Sequence, residues 1–296
     1  MSKAPARKVL VLGATGLLGH TLVPHLRRAG FSVVAHGNNS TSGADLRCDA
    51  TDENQLRSMI LGQSWDFIVN LIALTNVDRC NAEIDLAYRL NVKVVENIVA
   101  AVAGQSEGRA RLIQISTDHI YDKDVGASAE HEVIMRNVYA LSKYAGEMAA
   151  QGCESVVLRT NFVGPGRIDD RKSFSDAIRD TLVAGGEFYG FEDSYFNPLS
   201  SARLSEEIAR VMDRWNPGVY NLGASTGLSK YEFARQVALS SGLNAALVKP
   251  RLMASMSGLA PRPFNMVMNV DAYEAAFDTR LPTLEFLIKE IRDDTK

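Results

Sequence analysis

The chain has 296 residues, 46% of them hydrophobic and 23% charged, with 22 Gly and 9 Pro. That is enough apolar material for one large domain or two closely joined ones, and it excludes a disordered or collagen-like chain. Lys and Arg number 32 against 35 Asp and Glu, a net charge of −3, so no overall basic field exists to hold a polyanion and nucleic acid is not an expected partner.

The first half alternates short apolar runs with helical patterns. Lys8–Leu12 reads as a buried strand and Leu17–Ala29 as a helix stopped by Gly30. Phe31–Ala35 is the next strand, followed by the polar turn Gly37–Gly43. Glu53–Leu61 is a helix, Phe67–Leu71 a strand, Leu86–Ala103 one long helix and Arg111–Ser116 a strand. Tyr139–Ala150 is helical and Ser155–Arg159 is a further strand. Such alternation with continuous apolar strands predicts an α/β fold, a doubly wound parallel sheet covered on both faces.

The rhythm changes after Asn161. Gly164-Pro165-Gly166 breaks it, and five of the six residues Arg167–Lys172 are charged. A helix at Phe174–Ala184 and an aromatic stretch, Phe188–Phe196, follow; Val219–Leu222 looks like one more core strand, and the tail has helices near Lys230–Ser241 and Leu284–Arg292. These pieces predict a smaller C-terminal lobe. The expected division is residues 1–160 with a return segment near 204–225, against 161–203 with 226–296. No repeat or low-complexity segment is present.

Apolar runs such as Val9–Leu12 and Ile68–Leu74 are far too short for a membrane span, so no membrane partner is expected. No signal-peptide core follows Met1–Lys8, and Cys48, Cys80 and Cys153 are scattered without a C-x-x-C pair. The expected compartment is therefore the cytoplasm. No Cys/His cluster offers a metal site, and no metal is expected.

Two constellations carry chemistry. Gly13-Ala-Thr15-Gly16-Leu17-Leu18-Gly19 leaves a strand and opens a helix, where a tight turn, close backbone approach and free helix N–H groups suit a dinucleotide pyrophosphate. The second strand ends in Ala35-His36-Gly37-Asn38-Asn39-Ser40 without a carboxylate. An acid there would accept from an NAD ribose, whereas the neutral amides of Asn38 and Asn39 can bind a 2′-phosphate, which favours NADPH, with NADH as the alternative. Asp49 lies where an adenine amino group could be met. The second constellation is Tyr139-x-x-x-Lys143, a phenol and an ammonium on one helix face. The cation stabilises the phenolate, bringing the tyrosine below its ordinary value near 10. Ser116-Thr117-Asp118 ends a strand, where ligands of parallel sheets sit, and a hydroxyl there could hold a carbonyl oxygen against the tyrosine.

Together, the glycine loop, Ser116-Thr117-Asp118 and Tyr139-x-x-x-Lys143 resemble the extended short-chain dehydrogenase/reductases, in the dTDP-4-dehydrorhamnose reductase branch. Supporting stretches are Val69–Asp78, Ser116–Asp122, Asn137–Glu147, Leu158–Thr160 and Arg262–Asn265. The resemblance implies NADPH-dependent reduction of the C4 keto group of a 4-keto-6-deoxy nucleotide sugar. It implies a Rossmann sheet with a substrate-binding lobe, Thr117 orienting the carbonyl, Tyr139 delivering the proton, and Lys143 holding the nicotinamide ribose. Thr15, Gly16, Leu17, Leu18 and Gly19 would wrap the pyrophosphate, Asp49 and Ala50 would flank adenine, and Leu71, Ile72 and Ala73 would line the nicotinamide side with Thr160. Phe162 would pack the sugar, and Thr75, Asp118, Phe196 and Asn197 are further substrate candidates. His25 and His119 are assigned to structure.

Three departures bear on the sugar: Ala140 in place of a glycine, a short Lys123–Arg136 loop without a Pro before Asn137, and Phe162 where a larger aromatic is usual. Two other readings stay open at this stage. One is a non-catalytic regulatory subunit, as in the methionine adenosyltransferase β subunit, which resembles these reductases. The other is a nucleotide-sugar epimerase. A homodimer is the default assembly.

Overall fold

A computed structural model describes residues 5–38, 43–105, 109–164, 167–168, 171–256 and 258–293. Its main element is a seven-stranded sheet. The strands are β1 (Lys8–Leu12), β2 (Ser32–Gly37), β3 (Leu46–Arg47), β4 (Phe67–Asn70), β5 (Arg111–Thr117), β6 (Ser155–Thr160) and β7 (Gly218–Leu222), in the order β7-β6-β5-β4-β1-β2-β3. The strands reverse direction of growth at β1, the arrangement of a doubly wound dinucleotide fold. β1 pairs in parallel with β2 and β4, and β4 pairs in parallel with β5.

Side-chain alternation explains why the strands read as unbroken apolar runs. Leu10 and Leu12 enter a core with Leu56 and Ile60 of α2 (Glu53–Leu61) and Val94, Val95 and Ile98 of α5 (Val94–Ala103). Val9 and Val11, which a period of two sends to the opposite face, are equally buried. Both faces are thus covered, as parallel sheets require. α1 (Leu17–Arg28) ends where expected, with Gly30 in the left-handed region at φ +92°.

Differences from the sequence reading are local. The long helix expected at Leu86–Ala103 is α4 (Ile84–Tyr88), a π-helical turn (Arg89–Lys93) and then α5. α3 (Val77–Ala82) and a 3₁₀ turn at Asp118–Ile120 carry no clear periodic signal. Asn39, a candidate cofactor residue, lies outside the described residues.

Contacts divide the chain into two compact units: Met1–Ser116 with Val138–Leu158 and Ser205–Val219, and Thr117–Asn137 with Arg159–Leu204 and Tyr220–Lys296. The second unit holds α7 (Phe174–Val183), α9 (Lys230–Ser240), α10 (Asp271–Phe277) and α11 (Leu284–Asp293), while α8 (Ser201–Asp213) runs across the division. The core of the second unit stacks Phe174 on Phe233 at 5.8 Å, with the edge of Phe196 on Phe233 at 5.2 Å. In the same unit, buried Arg159 donates to the Tyr121 hydroxyl at 2.7 Å and to the Glu130 carbonyl at 2.5 Å. Tyr121 in turn donates to Asn221 at 2.6 Å, and Asn221 holds the carbonyls of Ser128 and Asn269. Among the described residues no helix is long and apolar enough to cross a membrane.

Removing the hydroxyl at the centre of this network leaves a buried guanidinium and a buried amide short of partners. Tyr121→Phe is expected to cost about 2 kcal/mol, read as a lower urea midpoint at unchanged m-value.

Candidate active site

The glycine loop in the first unit is shaped by two close approaches. Gly13 has φ +74°, and a Cβ there would meet the backbone nitrogen of Ile72 at 3.1 Å. A Cβ on Gly19 would lie 2.2 Å from the carbonyl oxygen of Ala14, so helix α1 sits directly on the loop that precedes it. Gly16 caps α1 without any side-chain acceptor, leaving first-turn N–H groups for an incoming anion. These features fit a pyrophosphate.

His36 at the end of β2 stiffens the loop. Its carbonyl accepts from Ala14 N–H at 2.9 Å, and its ring bridges the Cys48 carbonyl at 3.0 Å and Gly13 N–H at 3.5 Å. Burial holds its pKa below the usual histidine value. Asn38 follows the strand and is exposed, with no carboxylate beside it in sequence. A nearby acid, Asp45, is committed to Arg27 at 2.7 Å and to Ala35 N–H at 2.8 Å. The adenine candidates differ in their freedom. Asp49 accepts from the Thr51 amide and hydroxyl at 2.9 and 2.8 Å, and Ala50 packs into the core.

α6 (Val138–Ala150) buries one stripe: Tyr139, Ala140, Ser142, Lys143, Gly146 and Glu147. The Lys143 ammonium donates to the Ile115 carbonyl of β5 at 2.7 Å. Burial pulls its pKa down to about 8, with Glu147 acting in the opposite direction. Glu147, fully buried, accepts from the Ser116 hydroxyl.

Side chains absent from the sequence-level site complete this arrangement. Asn70 accepts from Ile72 N–H at 3.1 Å and donates to Gln114 at 2.8 Å, and Gln114 donates to the Ile115 carbonyl at 3.0 Å. The run Leu71–Ala73 is thereby held half-buried, while Thr75 is exposed. Asn91, on the π-helical turn, accepts from Leu74 N–H at 2.7 Å and donates to the Leu74 carbonyl at 3.1 Å and the Ser142 hydroxyl at 2.8 Å. The wide turn carries this amide, so the segment after β4 and the helix bearing Tyr139 share one residue. Nothing local in the sequence signals it.

In the second unit, Thr117 donates to Asp118 at 3.3 Å and accepts from His119 N–H at 3.2 Å. Asp118 is buried and accepts from Asn161 at 2.8 Å. Burial raises its pKa to about 6, against opposing pulls from Asn161, Lys230 and Thr117. His119 is driven down to about 3, chiefly by burial, and so is neutral. Thr160 is buried and Phe162 half-buried on a short strand paired with Leu199–Ser200.

Two further substrate candidates have structural partners of their own. Phe196 is an aromatic-core ring. Asn197 donates to the carbonyls of Ala224 and Met268 and accepts from Met268 N–H, making it a staple between segments.

The short Lys123–Arg136 loop has its own fastening. Arg136, standing where the resemblance expects Pro, pairs with Asp122 at 2.6 Å. Asp122 also accepts from the amides of Phe264 and Asn265 at 2.6 and 3.1 Å. A cavity of about 590 Å³ opens there, bordered by Asp122, Arg136, Tyr195, Phe264 and Asn265. Among the described residues, no group of three or more His, Cys, Asp and Glu could hold a metal.

The family described as the RmlD substrate binding domain matches residues 7–296. The chain belongs to that family. It is 27% identical over 284 residues to the probable low-salt glycan biosynthesis reductase Agl14 of Haloferax volcanii, covering 93% of this chain and 94% of the relative. It is 26% identical over 270 residues to the dTDP-4-dehydrorhamnose reductase of Mycolicibacterium smegmatis, with coverage of 89% and 78%. In fold it is similar to the dTDP-4-dehydrorhamnose reductase of Bacillus anthracis in complex with NADP, at TM-score 0.86 and 22% identity over 99% and 100% of the chains. The sheet and the glycine loop of this RmlD-family member thus stand on an oxidoreductase scaffold.

Two outcomes follow from the geometry. Asn91→Ala leaves both polar groups of Leu74 without their side-chain partner, an expected loss of about 2–3 kcal/mol in urea denaturation. The Asp118 carboxylate accepts two hydrogen bonds that its protonated form cannot keep together. Its folded pKa lies above the unfolded value near 3.9, so folding takes up a proton between roughly pH 4 and 6 and the carboxylate form is lost as pH falls through about 6. Turnover is expected to fall below that pH, and the acid limb to disappear in Asp118→Asn, as read from kcat/KM profiles.

Proposed function

We propose that this RmlD-family protein uses NADPH to reduce the C4 keto group of a 4-keto-6-deoxy nucleotide sugar. The observation that carries the reading is the buried face of α6, where Lys143 lies one turn from Tyr139 and is anchored at Ile115, two residues before Thr117. A phenol one helical turn from a buried cation is a competent proton donor at neutral pH.

Gly13 to Gly19 and the first turn of α1 would hold the pyrophosphate, Leu71, Ile72 and Ala73 would border the nicotinamide, and Asp49 and Ala50 would flank the adenine; Thr160 is a further candidate for the nicotinamide. The dinucleotide with a 2′-phosphate is favoured because β2 is followed by Asn38 rather than an acid and Asp45 is already paired with Arg27. Support comes from the NADP complex of the Bacillus anthracis neighbour. When bound, NADPH supplies the hydride.

The chain's own part is to manage the oxygen. Thr117 orients the carbonyl, and Tyr139 donates its proton to that oxygen as negative charge develops there. Lys143 stabilises the phenolate left behind. Donors aimed at charge that appears only in the transition state accelerate the step without tightening substrate binding. Asp118, Phe162 and Thr75 contact the sugar nucleotide, and Asp118 holds the Thr117 hydroxyl ready between substrates.

The test is consumption of NADPH, followed by nicotinamide absorbance, with dTDP-4-keto-6-deoxy sugars and with NADH and no-sugar controls. Sugar-dependent oxidation that is faster with NADPH is the expected result. NADPH binding without oxidation of any keto sugar would instead favour a binding-only subunit or an epimerase. Tyr139→Phe is expected to lower kcat by about 10²–10⁴-fold while NADPH affinity, measured by calorimetry, stays close to wild type.

A further inference from the structure

We propose that Glu147 is the positioning residue that keeps Lys143 a cation in its buried seat and so sets the alkaline limit of turnover. The proposal rests on the reading of Tyr139 and Lys143 as the proton-donating pair.

Lys143 and Glu147 stand one turn apart on the buried stripe of α6, and neither reaches solvent. The polar partner of the ammonium on β5 is the Ile115 carbonyl at 2.7 Å, which bears no net charge. A neutral acceptor replaces part of the lost hydration but leaves the buried charge unanswered. Glu147 answers it. A buried carboxylate is equally costly alone, so each group makes the other tolerable.

The next residue of the same strand fixes the carboxylate. Ser116 O–H donates to one Glu147 oxygen, while the Ile115 carbonyl receives Lys143. Two consecutive residues of β5 therefore hold two side chains one helical turn apart. The latch aligns α6 along the strand, and with it Tyr139, one turn before Lys143.

Among the described residues, two ionisable groups act on the ammonium: Glu147 on its own helix and Cys80 from α3. Burial raises the Cys80 thiol to about 11, so it is uncharged at neutral pH. The charged residues Arg79 of α3 and Lys93 of the π-helical turn, both on elements packed against α6, are paired at the surface with Glu83 and Glu96. Even with Glu147 in place, burial brings Lys143 down to about 8, so removing the carboxylate moves its loss of charge into the neutral range.

The experiment is a titration of Lys143 in protein labelled with ¹³C at the lysine ε-carbons, the resonance being assigned by its loss in Lys143→Arg. Glu147→Gln keeps the shape and an acceptor for Ser116 but removes the charge. Its Lys143 midpoint is expected to fall by about one pH unit or more. The alkaline limb of kcat with NADPH and the keto sugar should move down by the same amount. Glu147→Asp should bring both part of the way back, and Ser116→Ala, which loosens the carboxylate but keeps the charge, should move them less than Glu147→Gln. A purely structural Glu147 would lower thermal stability and depress turnover equally at every pH. An unmoved Lys143 midpoint in Glu147→Gln overturns the proposal. A shifted midpoint in a protein that turns over no keto sugar upholds the buried seat and removes the reductase reading.

Discussion

The candidate machinery of the first unit converges on one carbonyl oxygen, that of Ile115. It accepts from Gln114 on its own strand and from Lys143 on α6. Through Gln114 it is joined to Asn70, and through Asn70 to the amide of Ile72 beyond β4. Buried polar groups in a sheet covered on both faces need hydrogen-bond partners. Each polar side chain admitted there must find a protein partner, and the chain of partners fixes the spacing between the segment after β4 and the helix of Tyr139.

A similar constraint governs the second unit in a different form. Arg159, Tyr121 and Asn221 form a buried polar knot whose members come from three distant parts of the chain. Asp122 gathers Arg136 and the amides of Phe264 and Asn265 in the same way. Both fastenings tie down the Lys123–Arg136 loop, through Arg136, Glu130 and Ser128. Asn137 adds a third tie, donating to the Pro261 carbonyl at 2.9 Å.

The parts legible in the sequence share a short range. Strand and helix periods, the stop at Gly30 and the loop from Gly13 to Gly19 are each specified within a few residues of where they act. Tyr139 and Lys143 could be paired because a helix sets their spacing. By contrast, Asn91 meets Ser142 across 51 residues and Asn70 meets Gln114 across 44, and no local pattern announces either contact. The helical period around Asn91 is indistinguishable from an ordinary helix until the turn widens to place the amide. Nor does any local pattern announce that tertiary packing places the Phe196 ring in the aromatic core and ties the Asn197 amide to Ala224 and Met268.

The glycines of the first loop also differ in what their presence can testify to. A side chain at Gly19 would strike the Ala14 carbonyl whether or not any ligand arrived, whereas the space around Gly16 is open apart from the Gly13 carbonyl at 3.2 Å. Gly19 is therefore a signature of helix-on-loop packing, and Gly16 a signature of what approaches from outside. A side chain at position 16 would need the Gly13 carbonyl to give by a few tenths of an ångström, whereas one at position 19 would need helix and loop to part.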